Sequence, residues 1–540
     1  MNDHTANAFR YATIVAMGGF LFGLDAALIS GGVDLIKAEF QLTSEQLGTA
    51  VAAPALGVLL ALPFAGYVCN RFGRKKAILT IAVLYLISAI ASAFAPNYWT
   101  LTAARFLGGV GWSSISLASM YIGEIAPPKW RGKLVSMTQI NIVVGLFGAY
   151  FITYLIHYLA GAGIEWVQAL GVTPENSWRW MLGAEIPICL LWMGLLLFIP
   201  ESPYWFVYRN RPDEAKQRLS KLMPAEEIEA HVSEIRESLQ EDSQDRSSLS
   251  ELRIIFSKPM RLIFIIAITI AIAQQSSGIN AVLFYAQTIF KQLGIGTDAA
   301  FVQAIWVGLT SVVFTILGLL LVDKLGRRPL IIWGMVWIIA SLGLCSYAFH
   351  EARYTLTEEA IAEFAKGVKE AESKSAEEGE VTEAFDIGRL DSLAGVEKES
   401  DIAFREALDE SIDKEDTSKY FNPLLEAAIK IDAKLVLLGI LSFIAAFHFS
   451  VGPVMWVLFS EIFPASVRGM AIPFFAIVTS LTSWLVQKFF PWQMENMGMS
   501  FTFLFYAGTV AIGLVILFFT LKETKNMSIE EIQAALTPDA

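Results

Sequence analysis

The sequence is poor in the residues that build metal sites, disulfide frameworks and hydrolytic active sites. Its 540 residues include three cysteines and five histidines. Cys69, Cys189 and Cys345 lie in or beside separate apolar runs, so neither a disulfide framework nor the spacing of metal ligands is indicated. We recognise no nucleophile–base pair and no phosphate-binding glycine loop. We therefore expect no enzyme, no metal site, no cofactor and no nucleic-acid partner.

Charged residues are scarce as well. They make up 17% of the chain and apolar residues 55%, whereas soluble domains have about 25% and about 45–50%. The apolar residues form twelve runs of about 20 residues, enough to cross a hydrocarbon core of about 30 Å. Backbone amides in hydrocarbon must be bonded internally, so these runs are predicted helices. The predicted spans, numbered 1 to 12, are 10–34, 46–69, 76–95, 98–121, 133–158, 178–199, 260–289, 300–322, 328–350, 434–460, 468–492 and 499–521.

Basic loops indicate the orientation. Short loops rich in Lys and Arg stay in the cytoplasm, and here the basic loops all follow even-numbered spans. We therefore expect a multi-pass protein of the cell membrane with both termini cytoplasmic. The loops are "NRFGRKK" (70–76), "PPKWRGK" (127–133), "DKLGRRP" (323–329) and "ASVRG" (465–469).

Two motifs occur twice. "EIAPPKWRG" (124–132) resembles "EIFPASVRG" (461–469), and "GYVCNRFGRKK" (66–76) resembles "GLLLVDKLGRRP" (318–329). The two motifs are farther apart in the second half of the chain than in the first half. We assign the extra residues between them to 351–432. Without that insertion the chain is a duplicated six-helix unit, and repeated halves around a central site are typical of transporters.

The insertion carries 23 Asp and Glu against 10 Lys and Arg, so its charge of −13 accounts for the chain's net −12. Its composition suits either a small helical cap or a mostly disordered loop. It is either a tolerated solvated insertion, as surface loops often are, or a cap that binds a partner or captures substrate. The predicted units are an N-terminal half (1–200), a cytoplasmic linker with short amphipathic helices (201–259), spans 7–9 (260–350), the acidic extracytoplasmic insertion (351–432), spans 10–12 (433–522) and a cytoplasmic tail (523–540).

Three ionisable residues fall within predicted spans of the N-terminal half: Asp25, Arg105 and Glu185. Such residues are costly in a membrane and are usually functional. A carboxylate beside an arginine stays ionised, and without it burial favours the neutral form. The cluster therefore suits a proton carrier, and a static structural ion pair is the alternative.

Span 7 contains three amides, Gln274, Gln275 and Asn280, near Gly278, which allows a local irregularity. Amides offer donors and acceptors for vicinal hydroxyls, so a neutral polyol is a better candidate ligand than an ion. Gln139 in span 5 adds an amide, and Trp456 in span 10 offers an apolar face for a sugar ring. The alternative is that these amides only hold helices together.

These features resemble the sugar porter family of the major facilitator superfamily, most closely its bacterial monosaccharide–proton symporters. The resemblance rests on the paired motifs above together with "PESPYW" (200–205), "QQSSGIN" (274–280) and "KETK" (522–525). It implies an all-α fold of twelve helices in two pseudo-symmetric halves that alternate between outward-open and inward-open states. It also implies import of a pentose or hexose with a proton by a monomer in the lipid bilayer.

The resemblance assigns roles to particular residues. Asp25 would couple the proton, governed by Arg105 and Glu185, and facilitative members have Asn at that position. A uniporter and a sugar-sensing receptor of the same fold remain as alternatives. The implied sugar-binding residues are Phe22, Gln139, Gln274, Gln275, Asn280, Gly452 and Trp456.

The same resemblance implies a cytoplasmic latch of ion pairs that closes when the site faces outward and breaks when it faces inward. Its members would be Arg71, Arg74, Glu124, Arg131, Glu201, Arg327, Arg328, Glu461, Arg468 and Glu523. The sequence departs from the family pattern at Tyr204, where Arg is usual, and at Ser311, Thr479 and Ser480, where a polar Asn and a Trp are common. The identity of the sugar and any partner of the insertion are left open by these patterns.

Overall fold

A computed structural model describes residues 3–127, 130–243, 253–377, 385–527 and 529–536. Within these ranges eleven helices are long and apolar enough to cross a membrane. Predicted span 4 is the exception, because a break at Ser113 divides it into two shorter helices. Each of the twelve predicted spans therefore corresponds to one helix or to two or three consecutive helices.

The helices of the N-terminal half are Asp3–Glu39 (span 1), Ser44–Phe72 (span 2), Arg74–Ala93 (span 3), Tyr98–Trp112 with Ser114–Ile125 (span 4), Arg131–Gly161 (span 5) and Ser177–Gly183 with Glu185–Leu196 (span 6). Those of the C-terminal half are Arg261–Ser276 with Ile279–Phe284 and Ala286–Lys291 (span 7), Thr297–Leu325 (span 8), Arg327–His350 (span 9), Ala433–Phe449 with Val451–Ile462 (span 10), Ala465–Asn496 (span 11) and Gly498–Thr520 (span 12). Shorter helices are Glu165–Ala169, Pro203–Tyr208, Pro212–Leu219, Ala225–Ser243 and Ile529–Leu536.

The bundle has two ends, which we name by what they carry. The basic face carries the loops after spans 2, 4, 8 and 10, and the insertion face carries residues 351–432. The two halves contact each other near the insertion face. Gly48 in span 2 lies so close to span 11 that a Cβ there would be 2.0 Å from the Lys488 carbonyl oxygen. Tyr150 in span 5 donates a hydrogen bond of 2.6 Å to the carbonyl of Leu283 in span 7.

The basic face is open by comparison. A Cβ added at Gly66, Gly123 or Gly469 would meet no atom within 4 Å. Within the described residues, the side-chain hydrogen bonds that join one half to the other lie toward the insertion face. The protein is therefore closed at one end and open at the other.

The insertion folds around a core of its own that includes Tyr354, Leu408 and Leu424. Its sheet has three short antiparallel strands in the order Glu397–Lys398, Arg353–Thr355, Ile429–Lys430. The sequence patterns did not indicate this sheet, because its strands pair residues far apart in the chain. Its helices are Glu358–Glu377, the 3-10 helix Ile387–Leu393, Asp401–Ser411 and Lys414–Ala428.

Asp401 attaches the insertion to the C-terminal half. Its carboxylate accepts the backbone N–H of Met499 at 2.9 Å, at the start of span 12. Burial raises the pKa of Asp401, and the backbone N–H groups of Met499 and Ile402 oppose that rise. Span 12 thus begins with a carboxylate near its free N–H groups, which is a stabilising arrangement.

The two halves repeat one helix start in atomic detail. Gly73 and Gly326 precede spans 3 and 9 with φ of 96° and 91°. Beside them, the carboxylates of Glu201 and Glu523 accept the first backbone N–H groups of spans 3 and 9, at 2.8 to 3.1 Å. A Cβ at Gly326 would lie 2.6 Å from a carboxylate oxygen of Glu523. Only glycine gives both this backbone conformation and this close approach.

We expect Gly326→Ala to lower the thermal unfolding temperature of the purified protein. The alanine must adopt a strained φ and displace Glu523, at a cost of about 1–3 kcal/mol. Gly469→Ala is the matched control, since a Cβ there meets open space. Equal melting temperatures for the two variants would contradict the assignment of Gly326 to this helix start.

Candidate functional site

The buried charges of the N-terminal half meet at Asp25. One oxygen of its carboxylate accepts a hydrogen bond from the Arg105 guanidinium. The other oxygen accepts from the indole Nε1–H of Trp112 at 2.6 Å. Asp25, Arg105 and Trp112 are at most 4% exposed. Spans 1 and 4 are therefore joined through a single carboxylate with two donors.

Glu185 is the third member of this cluster. It begins the second helix of span 6, is 3% exposed, and interacts electrostatically with both Asp25 and Arg105. Its Oε1, together with Nε of Arg105, has no hydrogen-bond partner among the described residues. The cluster thus holds two carboxylates and one guanidinium, and some of their hydrogen-bonding atoms are unused. If one carboxylate bound a proton, the other two groups could form new hydrogen bonds.

The amides of span 7 form a hydrogen-bonded chain across three helices. Gln274 donates to the carbonyls of Val451 and Gly452 in span 10, at 3.3 and 3.2 Å. Gln275 donates to Gln274 at 3.2 Å, and Asn280 donates to Gln275 at 2.9 Å. The chain therefore links span 10 to the middle of span 7.

The same chain continues into span 11. Asn280 also donates to the hydroxyl of Ser483 at 2.8 Å, and Gln487 donates to that hydroxyl at 2.7 Å. We name Gln274, Gln275, Asn280, Ser483 and Gln487 the amide chain. Oε1 of Gln487 is buried without a partner among the described residues, so the amide chain retains an open acceptor.

The amide chain depends on a break in span 7. The first helix ends at Ser276, Gly278 has φ 81°, and a new helix starts at Ile279. This break lets Gln275 and Asn280 meet although five residues separate them, which an unbroken helix would disfavour. A Cβ at Gly278 would come 2.4 Å from the Tyr506 ring, so span 12 also requires glycine there.

The other predicted sugar-binding residues are placed as follows. Gly452 supplies its carbonyl to Gln274. Phe22 packs edge-on against Trp112, with ring centroids 4.7 Å apart. Gln139 is half-buried, and no hydrogen bond joins it to the amide chain in the described ranges. Trp456 is 39% exposed and packs against Phe459. The roles of these residues remain predictions.

Sequence reasoning missed Trp112, Ser483 and Gln487. Trp112 also packs against Phe284 of span 7, with centroids 6.3 Å apart, so one ring contacts both halves. No sequence pattern showed that its indole points at Asp25. Thr479, which we had aligned with a binding position of span 11, donates to its own helix at Phe475, and Ser483, one turn further on, makes the contact with span 7 instead.

The predicted latch residues form two matching networks at the basic face, one in each half. Arg74 bonds Glu124 through Nε at 3.0 Å and through a terminal nitrogen at 2.8 Å. Arg327 bonds Glu461 at 3.0 and 2.7 Å in the same way. Both pairs lie within one half and are intact although the basic face is open. The breaking of latch ion pairs when the site faces inward stays a prediction.

The remaining latch residues differ in their contacts. Arg468 donates to the carbonyl of Phe463, and Arg328 donates to the carbonyl of Phe518. Arg71 is exposed. Tyr204 lies against the Arg74 guanidinium, 5.3 Å from its ring centroid, so an aromatic ring contacts the cation where the family pattern has Arg. The side chain of Arg131 lies outside the described residues.

Comparisons with known proteins agree with this geometry. The family model described as "Sugar (and other) transporter" matches residues 11–364 and 420–536. The D-xylose-proton symporter of Escherichia coli is 30% identical over 564 aligned positions, which cover 98% of this chain and 96% of that protein. The arabinose-proton symporter of Bacillus subtilis is 29% identical, with 96% and 92% covered.

Solved structures give the same fold. The inward-open conformation of the xylose transporter XylE from E. coli has a TM-score of 0.70 and 26% identity, covering 98% of this chain and 99% of that one. The predicted fold class, a twelve-helix membrane protein of two related halves, is confirmed. The unmatched residues 365–419 fall within the insertion.

We expect Ser483→Ala to weaken binding of a neutral polyol ligand at least about fivefold, because the amide chain loses both hydrogen bonds to this hydroxyl. Asn280 and Gln487 would both lose their acceptor and reorient. The measurement is ligand titration of the purified protein by tryptophan fluorescence. Thr482→Ala, on the same helix and with a hydroxyl that bonds only the carbonyl of Val478, is the control. An unchanged affinity for Ser483→Ala would indicate that the amides only hold helices together.

Proposed function

The chain belongs to the sugar (and other) transporter family, and from that premise we propose that it imports a monosaccharide together with a proton by alternating access. The observation that carries the proposal is the buried carboxylate of Asp25, held by Arg105 and Trp112 near the centre of the N-terminal half. A transporter without ion coupling has no need of such a group, and an isolated buried carboxylate is costly.

The proton step would take place at Asp25. While ionised, Asp25 is paired with Arg105. Binding a proton removes its negative charge, weakens that pair and leaves Arg105 to interact with Glu185. One proton thereby changes the contacts between spans 1, 4 and 6. This switch between two partners is what distinguishes a proton carrier from a static ion pair.

The sugar step would take place at the amide chain. Its side chains offer donors and acceptors where spans 7, 10 and 11 meet. Each hydroxyl of a monosaccharide can both donate and accept a hydrogen bond. A bound sugar can therefore replace bonds within the amide chain without leaving an amide unpaired. Trp456 and Phe22 would provide the apolar contacts. This set contains no net charge, which favours a neutral sugar over an anionic one.

Trp112 offers a physical connection between the two steps. It donates to Asp25, and its ring packs on Phe284, which lies in the same short helix as Asn280. Loss of charge at Asp25 would weaken the hydrogen bond of the indole and free the ring to move against span 7. Proton binding would then alter the geometry of the sugar contacts.

The closed insertion face and the open basic face support alternating access. We propose that the basic face is cytoplasmic, as its Lys and Arg content favours, so the described state faces inward. Both termini would then be cytoplasmic and the insertion extracytoplasmic, in a monomer of the cell membrane. The paired charges within each half would keep the halves rigid while the contacts between them change.

The decisive test is the pH outside proteoliposomes on addition of D-xylose, D-glucose, D-galactose or L-arabinose. We expect alkalinisation with one of these sugars, and we expect Asp25→Asn to abolish it while exchange of labelled sugar continues. Glu165→Gln, which changes an exposed carboxylate of the N-terminal half, is the control.

Two other outcomes count against the proposal. Sugar equilibration without any pH change in the unaltered protein would indicate a uniporter, with Asp25 a structural partner of Arg105. Concentrative uptake that survives Asp25→Asn would assign the coupling to another group.

Trp112→Phe gives a separate prediction, because it keeps an aromatic ring beside Phe22 and Phe284 and removes the N–H that bonds Asp25. We expect sugar exchange to persist and the protons moved per sugar to fall at least severalfold. The measurement is the ratio of proton flux to labelled sugar flux in the same proteoliposomes. An unchanged ratio would show that the hydrogen bond to Asp25 plays no part in coupling.

A further inference from the structure

Six charged residues line a pocket, or interact with residues that line it, where the insertion meets both halves of the bundle. Span 1 contributes Asp34 and Lys37, spans 7 and 11 contribute Lys291 and Glu495, and the insertion contributes Arg405 and Glu426. The pocket itself is lined by Asp34, Lys37, Arg405 and Glu495, together with Thr288 and Phe421. We name the six residues the outer charge set. Each of the three parts supplies one cation and one anion, so the set is neutral.

Two direct ion pairs anchor the outer charge set. Lys291 bonds Asp34 at 2.8 Å, and this pair joins the C-terminal half to span 1. Arg405 pairs with Glu495, and this pair joins the insertion to span 11. All four side chains are between 19% and 25% exposed, so water screens these pairs less than it screens pairs on an open surface.

Lys37 and Glu426 complete the set through electrostatic interactions. Lys37 is attracted by Glu495 and Asp34 and repelled by Arg405. Glu426 interacts with Lys291. Burial raises the pKa of Glu426, and Lys291 together with the backbone N–H of Gly296 opposes that rise. Lys291 and Glu495 therefore each have one partner in span 1 and another in the insertion.

The insertion is fixed to the C-terminal half rather than to span 1. Asp401 accepts the N–H of Met499, and a Cβ at Gly294 would lie 3.1 Å from the Glu426 carbonyl oxygen. Arg405 is held in place by Phe421 as well, whose ring centroid lies 4.8 Å away. When the two halves separate at this end, Lys291 and Glu495 leave span 1 and keep the insertion.

We propose that Arg405 and Glu426 are positioning residues for transport, which remain as partners of Glu495 and Lys291 when the insertion face opens. This inference rests on the proposed function only in assuming alternating access. Without the insertion's two charges, opening would leave a half-buried cation and a half-buried anion without close partners, which is unfavourable. The acidic insertion would thus lower the cost of the outward-open state.

The proposal predicts opposite effects from the two sides of the pocket. Lys37→Gln with Asp34→Asn removes the partners that exist only in the closed state, so the ratio of open to closed insertion face should rise about fivefold. Arg405→Gln with Glu426→Gln removes the partners that persist on opening, so the ratio should fall by a similar factor. An insertion that merely rests on the bundle predicts no fall.

The measurement is the distance distribution between spin labels on Glu45→Cys in span 2 and Glu410→Cys in the insertion, both at exposed positions. The three native cysteines are buried. A second label pair, Glu410→Cys with Asn496→Cys, reports whether the insertion stays attached to span 11. If the double variant detaches the insertion, Glu426→Gln alone, which retains Arg405 and Asp401, carries the test.

Each side has a matched control. Glu39→Gln removes a charge from the same end of span 1, where Glu39 pairs with Arg179 of its own half. Arg389→Gln removes an insertion cation that pairs with Asp413 inside the insertion. Neither control should shift the ratio of open to closed insertion face.

Two results would overturn the proposal: a shift of this ratio in the same direction for both test pairs, or no shift for the insertion pair. The distances require no transported sugar or proton, so this result is independent of the symport test.

Discussion

The constraint on which this structure depends is that a polar group inside hydrocarbon must find its partner within the protein. Asp25 meets it with two donors, Arg105 and Trp112. The amides of span 7 meet it by bonding one another and the carbonyls of span 10. Both solutions use groups that can exchange partners, and a transport cycle needs that property. Pairing that could not be exchanged would give a stable bundle with one conformation.

The location of each pairing decides what it does during the cycle. Pairs within one half, such as Arg74 with Glu124 and Arg327 with Glu461, can persist in every state and keep that half rigid. Pairs between halves, such as Asp34 with Lys291, would exist in one state only and would add to its stability. Half-exposed pairs of this kind contribute modestly, so the balance between two states remains within reach of a bound sugar or proton.

The sequence allowed the twelve spans to be predicted, but it did not show which side chains contact one another. Hydropathy located the twelve spans because bilayer thickness and backbone bonding restrict the answer to long apolar helices. The amides of span 7 were found as a group, whereas their bonding was not, since it depends on the left-handed Gly278. Trp112 and Ser483 were missed because helical spacing does not tell which neighbouring helix a side chain meets. The sheet of the insertion pairs Arg353 with Lys430, a separation that no local pattern encodes.

The insertion shows why net charge is a poor guide to a segment's role. Most of its described acidic residues are exposed, and salt screens separate charges on an exposed surface. Two of its residues, Arg405 and Glu426, have opposite signs and contribute nothing to that excess. They matter because they stand beside Glu495 and Lys291, which also face span 1. The effect that we propose for the insertion would therefore come from a local, neutral arrangement of charges, which composition alone does not reveal.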